Sequence, residues 1–332
     1  MAVIIQFEGC ARVTDADKIE SAGNIPFPAC GQVGSGGFDH AAAFGGRHAR
    51  LGRSKAPLAA QTDFDRLSKY SPSAQVFAIW GGDYEKKLAL LRREAARDKR
   101  VALCRTAGEI MAANAAGKVA VLLSVEGAEL LDCSPERLRS ARYSDGIVMV
   151  NLCWNSDNVL CGAALGGGGG LTDNGREFVR AAQGCGVAVD LSHASERAFW
   201  DVLEIAEKPV IASHSNAAAL SSEFPRNLTD GQFAALVKCG GGAGLNLCAD
   251  FVGLDRDIGA CCAHLEHFLA LGGEKSVFLG SDFDGIAAVP RGLYGVQDMW
   301  RLYEALLARG HSEELVRDIF YGNLLRILGR TE

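Results

Sequence analysis

The chain has 332 residues, 48% hydrophobic and 22% charged, with a mean hydropathy of +0.07, a composition that supports a large buried core and excludes disorder as the dominant state. Its 34 basic and 40 acidic residues leave a net charge of −6 with no Lys/Arg cluster, which argues against nucleic acid or an anionic lipid surface as a partner. Eleven cysteines without a C-x-x-C pair, and no apolar run near the roughly 18 residues of a membrane span, lead to the expectation of a soluble, cytoplasmic protein.

At about 150 residues per domain this length allows two domains, yet one α/β barrel commonly takes about 200 to 400, so a single domain over 1–332 is expected. Residues 1–60 have weak periodicity, and either MAVIIQF or a piece near Phe38 can supply a first strand. From residue 75 the pattern clears. Apolar runs at 75–81, 119–125, 146–152, 186–192, 209–213, 242–247 and 276–281 read as strands, separated by helical patterns at 84–99, 173–185, 194–207, 229–240 and 256–271. Seven strands plus one upstream make eight. No strand is followed by a phosphate-binding glycine fingerprint, and Gly166–Gly170 reads as a flexible loop rather than a ligand site. This favours a closed (β/α)8 TIM-like barrel over an open doubly wound sheet. Residues 297–332 read as two closing helices separated near Gly310, the second capped by Ser312.

In such a barrel, reactive groups gather at the C-terminal ends of strands. Here the run at 119–125 ends in Glu126, the runs at 186–192 and 209–213 in His193 and His214, and the run at 276–281 in Asp282. Taken singly, each has an ordinary alternative: a capping carboxylate for Glu126, rim histidines followed by the helix caps Ser195 and Asn216, and a turn carboxylate for Asp282. Taken together, two imidazoles and a carboxylate suit a zinc-like cation that activates water, with Asp282 as general acid or base. Arg226, in a polar loop beyond His214, either anchors that loop or holds a substrate carboxylate in bidentate fashion. His264 and His267 lie inside a helical pattern and read as packing or surface residues.

The segments SVEGAELL, GIVMVNLCWNSDN, GLTDNGREFV, VDLSHASERAFWDVLE, KPVIASHSNAAAL, PRNLTD and GSDFDGI, in that order, closely resemble the renal or membrane dipeptidase family, zinc metallopeptidase family M19, from about Gln61 to Gly329. The resemblance implies a barrel of the metal-dependent hydrolase type with two zinc ions bridged by a glutamate, matched by the catalytic and metal-binding Glu126. It assigns His193 and His214 to one zinc, Asp282 to catalysis and Arg226 to the substrate carboxylate, and Asn227 and Trp154 are expected beside the substrate as well. Trp154 stands where mammalian members place a histidine near the scissile bond. The family's first strand carries Asp-x-His-x-Asp, whose His and second Asp bind the other zinc. No His-x-Asp occurs in this chain. A gapless alignment sets Ala41 and Ala43 at the two ligand positions, and one deletion restores His40 but leaves Ala42 as its partner.

The expectation is therefore a hydrolase of dipeptides or dipeptide-like amides with one zinc site intact and the second in question. A dipeptide-like small molecule is the partner, without nucleic acid or membrane, and a homodimer is the assembly to test. The alternative from another class is a catalytically degenerate homologue that binds a peptide-like molecule without turnover. A third reading keeps one zinc and acts on a specialised metabolite.

Overall fold

The computed structural model describes residues 3–8, 60–70 and 72–332. All but Ala60 and Gln61 of these belong to one compact unit, Met1–Ala11 with Thr62–Glu332. Its strands are β1 Val3–Glu8, β2 Ser73–Trp80, β3 Val101–Leu103, β4 Val119–Glu126, β5 Ile147–Asn151, β6 Ala188–Asp190, β7 Ile211–Ala212, β8 Gly242–Asn246 and β9 Val277–Ser281. Every strand pair is parallel, in the order β1-β2-β4-β5-β6-β7-β8-β9, with β3 joined only to the start of β4. β1 also runs alongside β9, so the eight-strand series curls back on itself. The seven strands expected from residue 75 onward are present. The first strand is Val3–Glu8, the earlier of its two candidate positions.

Parallel neighbours need crossovers, and helices supply them. They are α1 Phe64–Leu67, α2 Tyr84–Arg97, α3 Ala107–Ala115, α4 Pro135–Ser140, α5 Asp173–Gly184, α6 Glu196–Ile205, α7 Asp230–Lys238, α8 Ala249–Val252, α9 Ile258–Ala270, α10 Met299–Ala308, α11 Glu313–Arg317 and α12 Asn323–Thr331. Most begin with a side-chain cap: Asp83, Thr106, Ser134, Thr172, Ser195, Thr229, Asp257 and Ser312 each accept a first-turn backbone N–H. Each cap stabilises its helix by about 1 kcal/mol. The expected second closing helix is divided, because a turn of wider helix at 318–322 joins α11 to α12. No described helix is long and apolar enough to cross a membrane.

The two faces of the sheet bury different sets of residues. One face packs Val121, Val150, Val189 and Leu279 against helix residues such as Leu88, Phe178, Phe199 and Phe268. The other gathers Val76, Leu122, Met149, Ala188, Ile211 and Phe278 into a separate cluster with Leu324 and Ile327 of α12. Side chains alternate along a strand, so this second set faces the barrel interior. Two positions further along the same strands, the interior residues become Ser124, Asn151, Asp190 and Ser213, and beyond them come Glu126 and Asp282. All six are buried. The interior is thus apolar at its base and polar at its C-terminal end.

That change explains why β6 and β7 are only three and two residues long. Beyond Asp190, side chains take over backbone donors. Ser192 N and Ser213 N both donate to Asp190 Oδ1, and His214 N donates to Ser192 Oγ. The glycine run is hydrogen-bonded to a neighbouring carboxylate. Asp157 Oδ1 accepts from Ala163 N and Gly167 N, and a Cβ on Gly166 would stand 2.1 Å from that oxygen. Glycine is required here by close approach to a carboxylate.

Candidate metal centre

Glu126 is the last residue of β4, in register with Trp80 at the end of β2. His193 and His214 stand three and two residues past the ends of β6 and β7. These three residues converge, with one ligand atom from each lying within 4.8 Å of the others. His193 Nε2 is 2.6 Å from Glu126 Oε1 and 3.1 Å from His214 Nε2, and His214 Nε2 is 4.0 Å from Glu126 Oε1. Their exposures are 1%, 3% and 0% for Glu126, His193 and His214. Buried carboxylate and imidazole groups at such distances are balanced either by a proton shared between ring and carboxylate or by a cation held among them.

The donor set fits a divalent metal. Each imidazole turns Nδ1 to a protein partner and Nε2 to the centre: His193 Nδ1 is 2.9 Å from Asn155 Oδ1, and His214 Nδ1 is 2.7 Å from Ser213 Oγ. Partners of this kind fix the ring orientation of metal-binding histidines. Two nitrogens each about 2.0–2.1 Å from a tetrahedral zinc stand about 3.3 Å apart, close to the 3.1 Å found between the two Nε2 atoms.

Asp282 follows β9 in a left-handed turn, with φ of 45° at Ser281 and 64° at Asp282. A non-glycine residue there costs of order 1 kcal/mol or more, the kind of local strain that gathers at functional sites. Asn246 fixes its carboxylate. The Asn246 amide donates to Asp282 Oδ2 at 2.9 Å and to His214 O at 3.2 Å, joining the acid to the segment that carries a histidine of the centre. Asn216, for which a helix cap was the ordinary alternative, instead exchanges hydrogen bonds with the Asn246 backbone. Ser195 does cap α6.

Arg226 is 5% exposed and donates from Nε to Ser192 O at 2.7 Å, one residue before His193. One terminal guanidinium nitrogen is buried with no hydrogen-bond partner among the described residues, and the Phe251 ring lies 5.7 Å from Cζ. A buried, undischarged donor on a fixed guanidinium is the chemistry that receives a carboxylate. Asn227 anchors the same loop, its amide nitrogen donating to Ser221 O and Phe251 O. Trp154 packs between Trp80, at 4.9 Å between ring centroids, and His193, at 6.1 Å.

The three other described histidines, His264, His267 and His311, have partners away from this centre. His264 is fully buried, accepting from Ala217 N and facing Val252 O through Nε2, and burial lowers its pKa from 6.5 to about 4. His267 pairs with Asp230 and His311 with Glu266. Phe38, His40, Ala41, Ala42 and Ala43 lie outside the described residues. Sequence reading passed over Asp190, Ser213, Asn155, Asn246 and Trp80. The available signal was a polar or aromatic residue at the inward-facing position near the end of an apolar strand.

The family model for membrane dipeptidase, peptidase family M19, matches residues 52–332. A protein from the pqqA 5′ region of Klebsiella pneumoniae, itself uncharacterised, is 33% identical over 272 residues, covering 77% of this chain and 97% of its own length. Among solved structures, dipeptidase AC, an M19 metallopeptidase, is 28% identical with a TM-score of 0.75, covering 82% of this chain and 89% of its own. A metallopeptidase of Rhodobacter sphaeroides, solved with a phosphinate mimic of the dipeptide L-Ala-D-Ala, is 27% identical with a TM-score of 0.73, covering 82% and 91%.

Proposed function

The chain belongs to the membrane dipeptidase family, peptidase family M19, and from that premise we propose that it hydrolyses dipeptides or dipeptide-like amides with one zinc ion held by Glu126, His193 and His214. The convergence of one carboxylate and two Nε2 atoms carries this reading. Zinc bound there supplies Lewis acidity and lowers the pKa of a bound water to about 7.

The protein's own groups do the rest. Arg226 takes the substrate's terminal carboxylate on its free guanidinium nitrogen, and its bond to Ser192 O sets that anchor beside His193. Holding one end of a dipeptide in this way turns an encounter into a fixed approach of the scissile amide. Asp282, steered by Asn246, moves the proton between the attacking water and the leaving amine. Trp154 and Trp80 form an apolar wall that limits water around the peptide plane. Asn227 holds the Arg226 loop. The described cysteines are all free, which supports a cytoplasmic site of action.

The absence of any His-x-Asp favours a second reading, a binder of peptide-like molecules that does not turn them over. Elemental analysis and L-Ala-D-Ala hydrolysis distinguish the two. About one zinc per chain with chelator-sensitive cleavage is expected. Two zincs at full occupancy overturn the single-metal assignment, and saturable dipeptide binding without cleavage establishes the second reading.

A further inference from the structure

We infer that Asp190 is a positioning residue which, through the Ser213 hydroxyl, fixes the tautomer of His214 and keeps its Nε2 free of hydrogen to receive a metal. The inference rests on His214 being a metal ligand, and it comes from counting hydrogens. Asp190 is 1% exposed. Four donors converge on its carboxylate: Ser192 N at 3.1 Å, Ser192 Oγ at 2.9 Å and Ser213 N at 2.9 Å on Oδ1, and Ser213 Oγ on Oδ2. An ionised carboxylate only accepts, and a serine hydroxyl has one hydrogen to give.

Ser192 Oγ also lies 3.2 Å from Ser213 Oγ, and whether its hydrogen goes there or to Asp190, its oxygen is left to accept from His214 N at 2.9 Å, while the closer Asp190 Oδ2 takes the Ser213 hydrogen. Between Ser213 Oγ and His214 Nδ1, 2.7 Å apart, only the imidazole can then be the donor. A neutral imidazole carries one N–H. With that hydrogen on Nδ1, Nε2 presents a lone pair toward the side where His193 Nε2 lies at 3.1 Å. A carboxylate two bonds removed thus selects the metal-binding form of a ring it does not touch.

Asp190→Asn is the informative variant because it keeps the shape and inverts the direction. Its amide nitrogen, placed at Oδ2, donates to Ser213 Oγ. The Ser213 hydroxyl then donates to His214 Nδ1, and the ring hydrogen moves to Nε2. Outer partners of metal-binding histidines are worth about 10–100-fold in metal affinity, and a loss in that range is expected for zinc, measured by chelator competition. In the metal-free proteins, ¹⁵N NMR of His214 should report hydrogen on Nδ1 in the wild type and on Nε2 in Asp190→Asn. If Asp190→Asn folds poorly, Ser213→Ala serves as second variant, with zinc affinity reduced and the Nδ1 hydrogen no longer enforced. Unchanged zinc affinity and an unchanged tautomer, with only a lower Tm, overturn the proposal and leave Asp190 a structural residue. A wild type that binds no zinc but holds hydrogen on Nδ1 defeats the metal reading and leaves the tautomer assignment standing.

Discussion

The lower and upper halves of the barrel interior are built from the same strands at alternate positions, yet they obey opposite rules. At the base, Val76, Leu122, Met149, Ala188, Ile211 and Phe278 form one apolar cluster whose only requirement is close packing. Two residues further along, Ser124, Asn151, Asp190 and Ser213 are equally buried but polar, and their value depends on where each hydrogen points. Burying a polar group costs free energy unless it is partnered. The upper half is accordingly a place where stability is given up for chemistry, and the base offsets that loss. A change of two positions along a strand moves a residue from one regime to the other.

The sharpest way to break this division is His214→Ala. If Glu126, His193 and His214 hold the metal as proposed, removing one of them should cost more than the roughly 100-fold upper limit for an outer partner, so metal retention and amide hydrolysis should fall to background in elemental and kinetic assays. The variant should unfold near the temperature of the metal-free wild type, below that of the zinc-loaded protein. Phe278→Ala tests the other half: a fully buried phenyl ring is lost from the base, and a destabilisation of about 3–5 kcal/mol is expected by denaturant titration. Zinc affinity of the folded variant should change little. The reverse pattern, with Phe278→Ala losing metal and His214→Ala losing stability, would show that the halves are not separate.

His264 gives the smallest of the three effects and lies outside both halves. Its folded pKa of about 4 is below the usual 6.5, so the unfolded chain binds more protons between those values. Its contribution to stability is complete above about pH 6.5, declines as pH falls toward 4 and is lost below that. The shift corresponds to on the order of 3 kcal/mol. His264→Gln should therefore narrow the Tm difference between pH 7 and pH 5 relative to wild type; an unchanged difference would remove His264 as its source.

Legibility in the sequence followed the same division. The strands could be read because a parallel strand covered on both faces is a continuous apolar run, and Glu126, His193, His214 and Asp282 stood out as polar residues closing such runs. β3 did not stand out, since Val101–Leu103 is three residues behind a charged stretch and pairs only with the start of β4. Asp190 was hidden inside a run that reads as apolar, and Ser213 beside a more conspicuous histidine. Nothing local marks either as a partner of the metal centre, because their role is fixed by a contact between β6 and β7 that sequence periodicity does not encode. The link between Asn246 and Asp282 spans two strands in the same way.

The glycine run from Gly166 to Gly170 shows how a sequence with the composition of a tether can instead act as a latch. Free glycines hold the largest reserve of chain entropy of any residue. Here that reserve is held in check by one carboxylate, Asp157, and by Ser195 Oγ donating to Gly169 O at 2.6 Å. Ser195 also caps α6, two residues beyond His193. The order of a five-glycine loop and the entry of α6 are thus joined through a single hydroxyl, which donates its hydrogen to the loop and accepts the Ala198 N–H of the helix's first turn.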